Sequence, residues 1–135
     1  MVGGFPCQDV SSANKTVAEL GGSKSGLFFV IKELVHMVTS GRWHFLLECM
    51  DFVGKHTEDF RLVGQLMGAR PVVLYASDVS AGYRRRAYWA SFPIGIMGQK
   101  EVHPADIMEP GRRSLWSKLP TVMASGIRSW NTATA

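Results

Sequence analysis

The stretch "HFLLECM", residues 44–50, is apolar apart from His44 and Glu48. A short run of this kind suits a β-strand buried on both faces. Upstream of it, Leu27, Ile31, Leu34, Val35 and Val38 recur at helical spacing, with Lys32, Glu33 and His36 between them. The spacing predicts an amphipathic helix over 25–39, with Ser25 at its start and Gly41 at its end. Downstream, Phe60, Val63, Leu66 and Met67 face one side of a second helix over 57–67, closed by Gly68. "RPVVLYASD" at 70–78 and "RRAYWASF" at 85–92 then read as strands. "VSAGY" joins them, and its Gly82 suits a tight return. Strand and helix alternate through 25–78, which predicts an α/β layered fold with parallel pairing. The last two strands form an antiparallel hairpin added to that sheet. Residues 3–24 read as loop and 93–135 as an irregular segment, with a short strand expected at "PTVMAS", residues 120–125.

The totals fit one domain. The chain has 135 residues and 46% hydrophobic residues, including four Trp and seven Phe, which favours a folded chain over disorder. No apolar run approaches the roughly 18–20 residues of a membrane span, and the start lacks the charged-then-apolar layout of a signal peptide. Two cysteines, Cys7 and Cys49, build neither a disulfide framework nor zinc-ligand spacing, so no metal is expected. A reducing intracellular compartment is the simpler reading. Net charge is +4, a mild excess, concentrated in "YRRR" at 83–86 and "GRR" at 111–113. Such clusters are either a solvated face or a phosphate-binding surface.

Three groups of residues carry chemistry. Cys7 lies in "GGFPCQDVSS", residues 3–12, among small polar neighbours. It is either a small buried hydrophobe or a loop thiol acting as a nucleophile. Glu48 interrupts an apolar run, which costs stability unless it is salt-bridged or functional. Residues two apart on a strand share a face, so Arg84 and Arg86 point one way and Arg85 the other. That run also reads as a charged, protected sheet edge.

The segment "GGFPCQDVSSANK", followed by "GGSKSGLFF", resembles the nucleophile loop of the DNA (cytosine-5) methyltransferases. "WHFLLECMDFVG" is similar to the Glu-Asn-Val strand end of that family, and "PVVLYASDVSAGYRRRAYWASFP" to its Arg-x-Arg strand. The wording of the latter is closest to the de novo animal branch, and "SLWSKLPTVMAS" is similar to the next motif. The resemblance covers roughly residues 3–125, in order. It implies that the Cys7 thiolate adds to carbon 6 of a flipped cytosine, so that carbon 5 accepts a methyl group from S-adenosylmethionine. Glu48 would serve ring nitrogen 3 as an acid, which calls for a desolvated pocket that raises its pKa. Arg86 would hold the exocyclic oxygen and Arg84 a phosphate or the loop. Gln8 and Ser11 would meet the DNA backbone or order the loop, while Pro6 and Leu27 would pack along the cofactor. A nuclear location follows if the source is eukaryotic.

Departures from the pattern shape the expectation. Cys49 and Met50 stand where the family has Asn and Val, and Cys49 is expected near enough to Cys7 to cross-link with it on oxidation. Six residues precede Cys7, too few for the glycine-rich turn that grips S-adenosylmethionine, so that site is expected to be largely missing. The expected architecture is therefore a partial Rossmann-like methyltransferase fold lacking its first strands, including the one that delivers the cysteine loop. One side of the 44–50 strand would then be an open apolar edge, available to a partner chain. The implied activity is that of an incomplete catalytic domain, inactive alone. The alternatives are a methyltransferase-like regulatory or binding module, or a truncated gene product.

Overall fold

Alternating burial along residues 46–50 organises the molecule. In this computed structural model, which describes residues 1–6, 25–38, 44–52, 54, 56–96 and 98–120, strand β2 runs Leu46–Met50. Leu47 and Cys49 are fully buried, whereas Leu46, Glu48 and Met50 are half-buried. The strand is thus covered on one face, not on both as its apolar run suggests.

A short strand β1, Val2–Gly4, lies parallel to β2, with Val2 opposite Leu46 and Gly4 opposite Glu48. On its other side β2 pairs antiparallel with β4, Arg85–Ala90, in a register that sets Glu48 opposite Tyr88 and Met50 opposite Arg86. With β3 at Val72–Tyr75, the sheet order is β1-β2-β4-β3. The fold is mixed α/β with a mixed four-stranded sheet among the described residues.

Three expectations change here. The strand leading to Cys7 is present, so β2 is paired on both sides and the open edge passes to β1. Parallel pairing joins β1 to β2 across the first helix, the crossover that parallel neighbours require. The antiparallel strand β4 lies between β2 and β3, so the strands of 44–50 and 70–78 are not the parallel neighbours that their alternation with helices predicts.

Helix α1 spans Leu27–Val38 and α2 spans Thr57–Met67. The second matches the expected bounds, and Gly68 closes it in the left-handed region at φ 62°, donating its N–H to the Gln65 carbonyl. Phe60 and Val63 are its buried residues, with Leu66 and Met67 packed beside them. On α1 the stripe is rotated from the expected one. Phe28 and Val35 are buried, and Ile31 packs beside them, while Leu27, Leu34 and Val38 are exposed. Phe28, Phe29, Val30 and Met37 widen the apolar stripe beyond the expected residues, so periodicity alone could not centre the inward side. The ring of Phe5, just past β1, selects it by meeting Phe28 at 5.1 Å.

Both helices cover the same sheet face. Trp89 lies at its centre, with Phe60 at 5.1 Å and Phe5 at 6.1 Å. Leu47, Cys49, Ala87 and Trp89 supply the strand side of this one core cluster.

The chain divides into two compact units, Met1–Leu74 with Arg85–Ile96, and Tyr75–Arg84 with Met97–Ala135. The described part of the second is held mainly by polar bonds. The expected strand over 70–78 gives way to a 3-10 turn at Ala76–Asp78, and Ala76 donates its N–H to the Arg84 carbonyl at 2.8 Å. Gly82 needs no left-handed backbone, because it forms an extended bridge to Leu119 instead of a tight return. The Lys118 ammonium donates to the carbonyls of Ser77, Ser80 and Val102 at 2.8–3.0 Å. Of the strand expected at 120–125, only Pro120 is among the described residues.

Candidate functional site

The half-buried face of β2 and β4 brings Glu48 and Arg86 together. Antiparallel register places Arg86 opposite Met50, one pleat from Glu48, so the two side chains reach each other diagonally. Arg86 Nε donates to Glu48 Oε1 at 2.7 Å, with the side chains 23% and 40% exposed. Arg86 Nη1 also donates to the Arg85 carbonyl at 2.7 Å. The carboxylate therefore sits beside a guanidinium and open to solvent among the described residues, not in the desolvated pocket that the sequence reading called for.

Gly4 fixes the third side. A Cβ there would stand 2.9 Å from the Glu48 carbonyl oxygen and 3.3 Å from Glu48 Oε2. Only a residue without a side chain lets β1 run this close to the carboxylate. The chain then passes through buried Phe5 and half-buried Pro6. Cys7, Gln8 and Ser11 lie outside the described residues.

Arg85 takes the opposite face, as strand alternation requires, and pairs with Asp51, whose carboxylate is 1% exposed. Arg84 precedes the first residue of β4 and belongs to the second unit, where it is exposed. The alternation that was expected to carry Arg84 onto the face of Arg86 therefore does not extend to it.

Cys49 points into the core, 1% exposed, with its Sγ 3.8 Å from the Phe5 carbonyl. It faces away from Glu48. A cross-link to Cys7 would have to form at this buried sulfur, shielded from solvent oxidants.

Of the two residues expected along the cofactor, Pro6 is half-buried just past Phe5, and Leu27 is exposed just before Phe28, whose ring meets that of Phe5. The nearby carboxylate on α1, Glu33, is engaged by Lys32 at 2.9 Å, and that contact holds its carboxyl below the usual range. These residues do not build a pocket for S-adenosylmethionine. Among the described residues no cluster of His, Cys, Asp and Glu is suited to a metal ion, and no helix is long and apolar enough to cross a membrane.

Two site residues escaped the sequence reading. Tyr88 stands directly across from Glu48 on the same face. Its signal was the two-residue step from Arg86. Gly4 sets the approach of β1, and its signal was the paired glycine of "GGFP". No protein-family model matches the chain.

Proposed function

We propose that the Glu48–Arg86 face, with Cys7, is the base-activating half of a DNA (cytosine-5) methyltransferase site, set in part of a Rossmann-like methyltransferase sheet. One observation supports the reading most: the parallel register that places Gly4 against Glu48, two residues before the Pro6-Cys7 peptide. This register directs the chain toward Cys7 from the strand end where Glu48 and Arg86 meet.

In the proposed chemistry, the Cys7 thiolate forms a bond to carbon 6 of an extruded cytosine. The carbon 5–carbon 6 double bond shifts to carbon 4–carbon 5, and the displaced electron pair is received at nitrogen 3. There the Glu48 carboxyl delivers a proton, which it would take up once the bound base covers this solvent-open face. Arg86 orients Glu48 and presents N–H groups to the exocyclic oxygen. Because the described residues do not form the methyl donor's pocket, the proposal stops at this adduct.

The test does not depend on the donor. Cytosine with nitrogen in place of carbon 5 has a more electrophilic carbon 6, so DNA carrying 5-azacytosine should form a gel-stable adduct with the full chain. Cys7→Ser should abolish the adduct, and Glu48→Gln should slow its formation by about two powers of ten or more. An adduct persisting in Cys7→Ser, or none with the unaltered chain, would overturn the reading.

A second reading rests on a separate observation. The edge strand β1 exposes Val2, and α1 exposes Leu27, Val30, Leu34 and Met37. Unpaired strand edges and contiguous apolar surface mark association sites. On this reading the chain is a methyltransferase-like module that joins a partner polypeptide.

A further inference from the structure

Away from the Glu48 face, the C-terminal end of α2 borders a cavity of about 350 Å³. Phe60, Gly64, Ala69 and Pro71 line it, and Arg61 and Arg70 stand among its walls. Both arginines are exposed and make no ion pair among the described residues. An apolar lining with a few charged groups is the usual composition of a small-molecule site.

The core supplies a further group. Trp89 is 0% exposed, and its Nε1 is the one buried side-chain donor without an acceptor among the described residues. It stands beside the cavity lining. A Cβ placed on Gly64 would lie 3.7 Å from Trp89 Nε1, 3.2 Å from the Ala69 carbonyl oxygen and 3.8 Å from Pro71 Cδ. Gly64 is thus the lining residue that neighbours the indole N–H. A buried donor with no acceptor destabilises the core, so a ligand atom that accepts from it gains affinity by relieving that cost.

We propose that this cavity binds a flat heteroaromatic carboxylate. The carboxylate pairs with Arg61 and Arg70, whose planar forks match its geometry. The ring lies against Phe60 and Pro71, and an acceptor at its far end takes the Trp89 N–H after a small displacement at Gly64. On this proposal the acid and the acceptor lie at different ends of the molecule.

Quinoline-6-carboxylate and naphthalene-2-carboxylate differ at the far end only in the ring nitrogen, and so form a matched pair of probes. In ¹⁵N–¹H spectra of the full chain, the quinoline should move the Trp89 indole resonance and the Gly64 and Ala69 amides. The naphthalene should bind about tenfold more weakly, the loss expected for one buried hydrogen bond. The Arg61→Ala/Arg70→Ala double variant alters exposed residues only, so its spectrum should remain that of the folded chain. Its affinity for the quinoline should fall at least about tenfold. Gly64→Ala should block the site by filling the space before Nε1. No movement of the Trp89 resonance at millimolar quinoline, equal binding of the two probes, or unchanged affinity in the double variant would each overturn the proposal.

Discussion

Arg85 and Arg86 are neighbours in sequence and meet opposite environments. Arg85 reaches Asp51 at the border of the core face, where the carboxylate is almost wholly buried. Arg86 reaches Glu48 on the other face, where both partners touch solvent. The chemistry of each pair is the same, a guanidinium on a carboxylate. What differs is the medium. A buried carboxylate depends on its partner because losing it leaves an uncompensated charge. A half-exposed carboxylate has water in reserve, so its pair contributes little to stability and can be rearranged at little cost. The sheet thus holds one arginine in a pair bordering the core and the other in a pair open to water.

The largest test of this contrast compares aromatic residues on the two faces. Trp89→Ala removes the centre of the core and should cost about 3–5 kcal/mol, a large share of the roughly 5–15 kcal/mol of an ordinary domain. Tyr88→Ala, one residue away on the half-buried face, should cost about 1–2 kcal/mol. Chemical denaturation of the two variants checks the difference. Equal costs would mean that the second face is packed as tightly as the first.

The arginines give the next effect. Arg85→Ala should destabilise by about 2–3 kcal/mol, less than a wholly buried pair because the arginine itself is partly exposed. Arg86→Ala should change stability by less than about 1 kcal/mol while impairing adduct formation. Thermal melting of both variants, set against the adduct assay, separates structure from function. A comparable loss of stability in the two would remove the distinction.

Glycines of β1 give the smallest effect and the sharpest one in position. Gly4→Ala drives a methyl group to within 2.9 Å of backbone at Glu48 and should cost about 1–3 kcal/mol. Gly3→Ala meets nothing within 4 Å and should stay within about 0.5 kcal/mol of the parent. Denaturation midpoints of the pair check whether the close approach of β1 is real.

Much of this arrangement was legible in the residues. Helix α2 could be bounded because Gly68 punctuates a clean stripe of Phe60 and Val63. The opposed faces of Arg85 and Arg86 followed from the strand period alone. The rotation of α1 was hidden, because Phe28, Phe29, Val30 and Met37 broaden its apolar stripe, and periodicity does not fix the centre of so broad a face. The place of β4 between β2 and β3 was hidden too, since strand order is a non-local property and the hairpin loop is compatible with either arrangement. Strand β1 was missed because two of its three residues are glycine, which carries no strand signal of its own. The same glycine, Gly4, is what brings the chain up to Glu48.

The tripod formed by Lys118 has a consequence for how the second unit tolerates change. Its ammonium gives all three protons to main-chain oxygens at 77, 80 and 102. The side chains at 77 and 102 take no part in these bonds, so either can change without loosening the ammonium, whereas the Ser80 hydroxyl also bonds the Ala76 carbonyl and the Gly82 N–H. Drift at those two positions is thereby permitted in both stretches that Lys118 joins, around 77–80 and at 102, which main-chain bonds such as Lys100 N–H to the Asp78 carbonyl also tie.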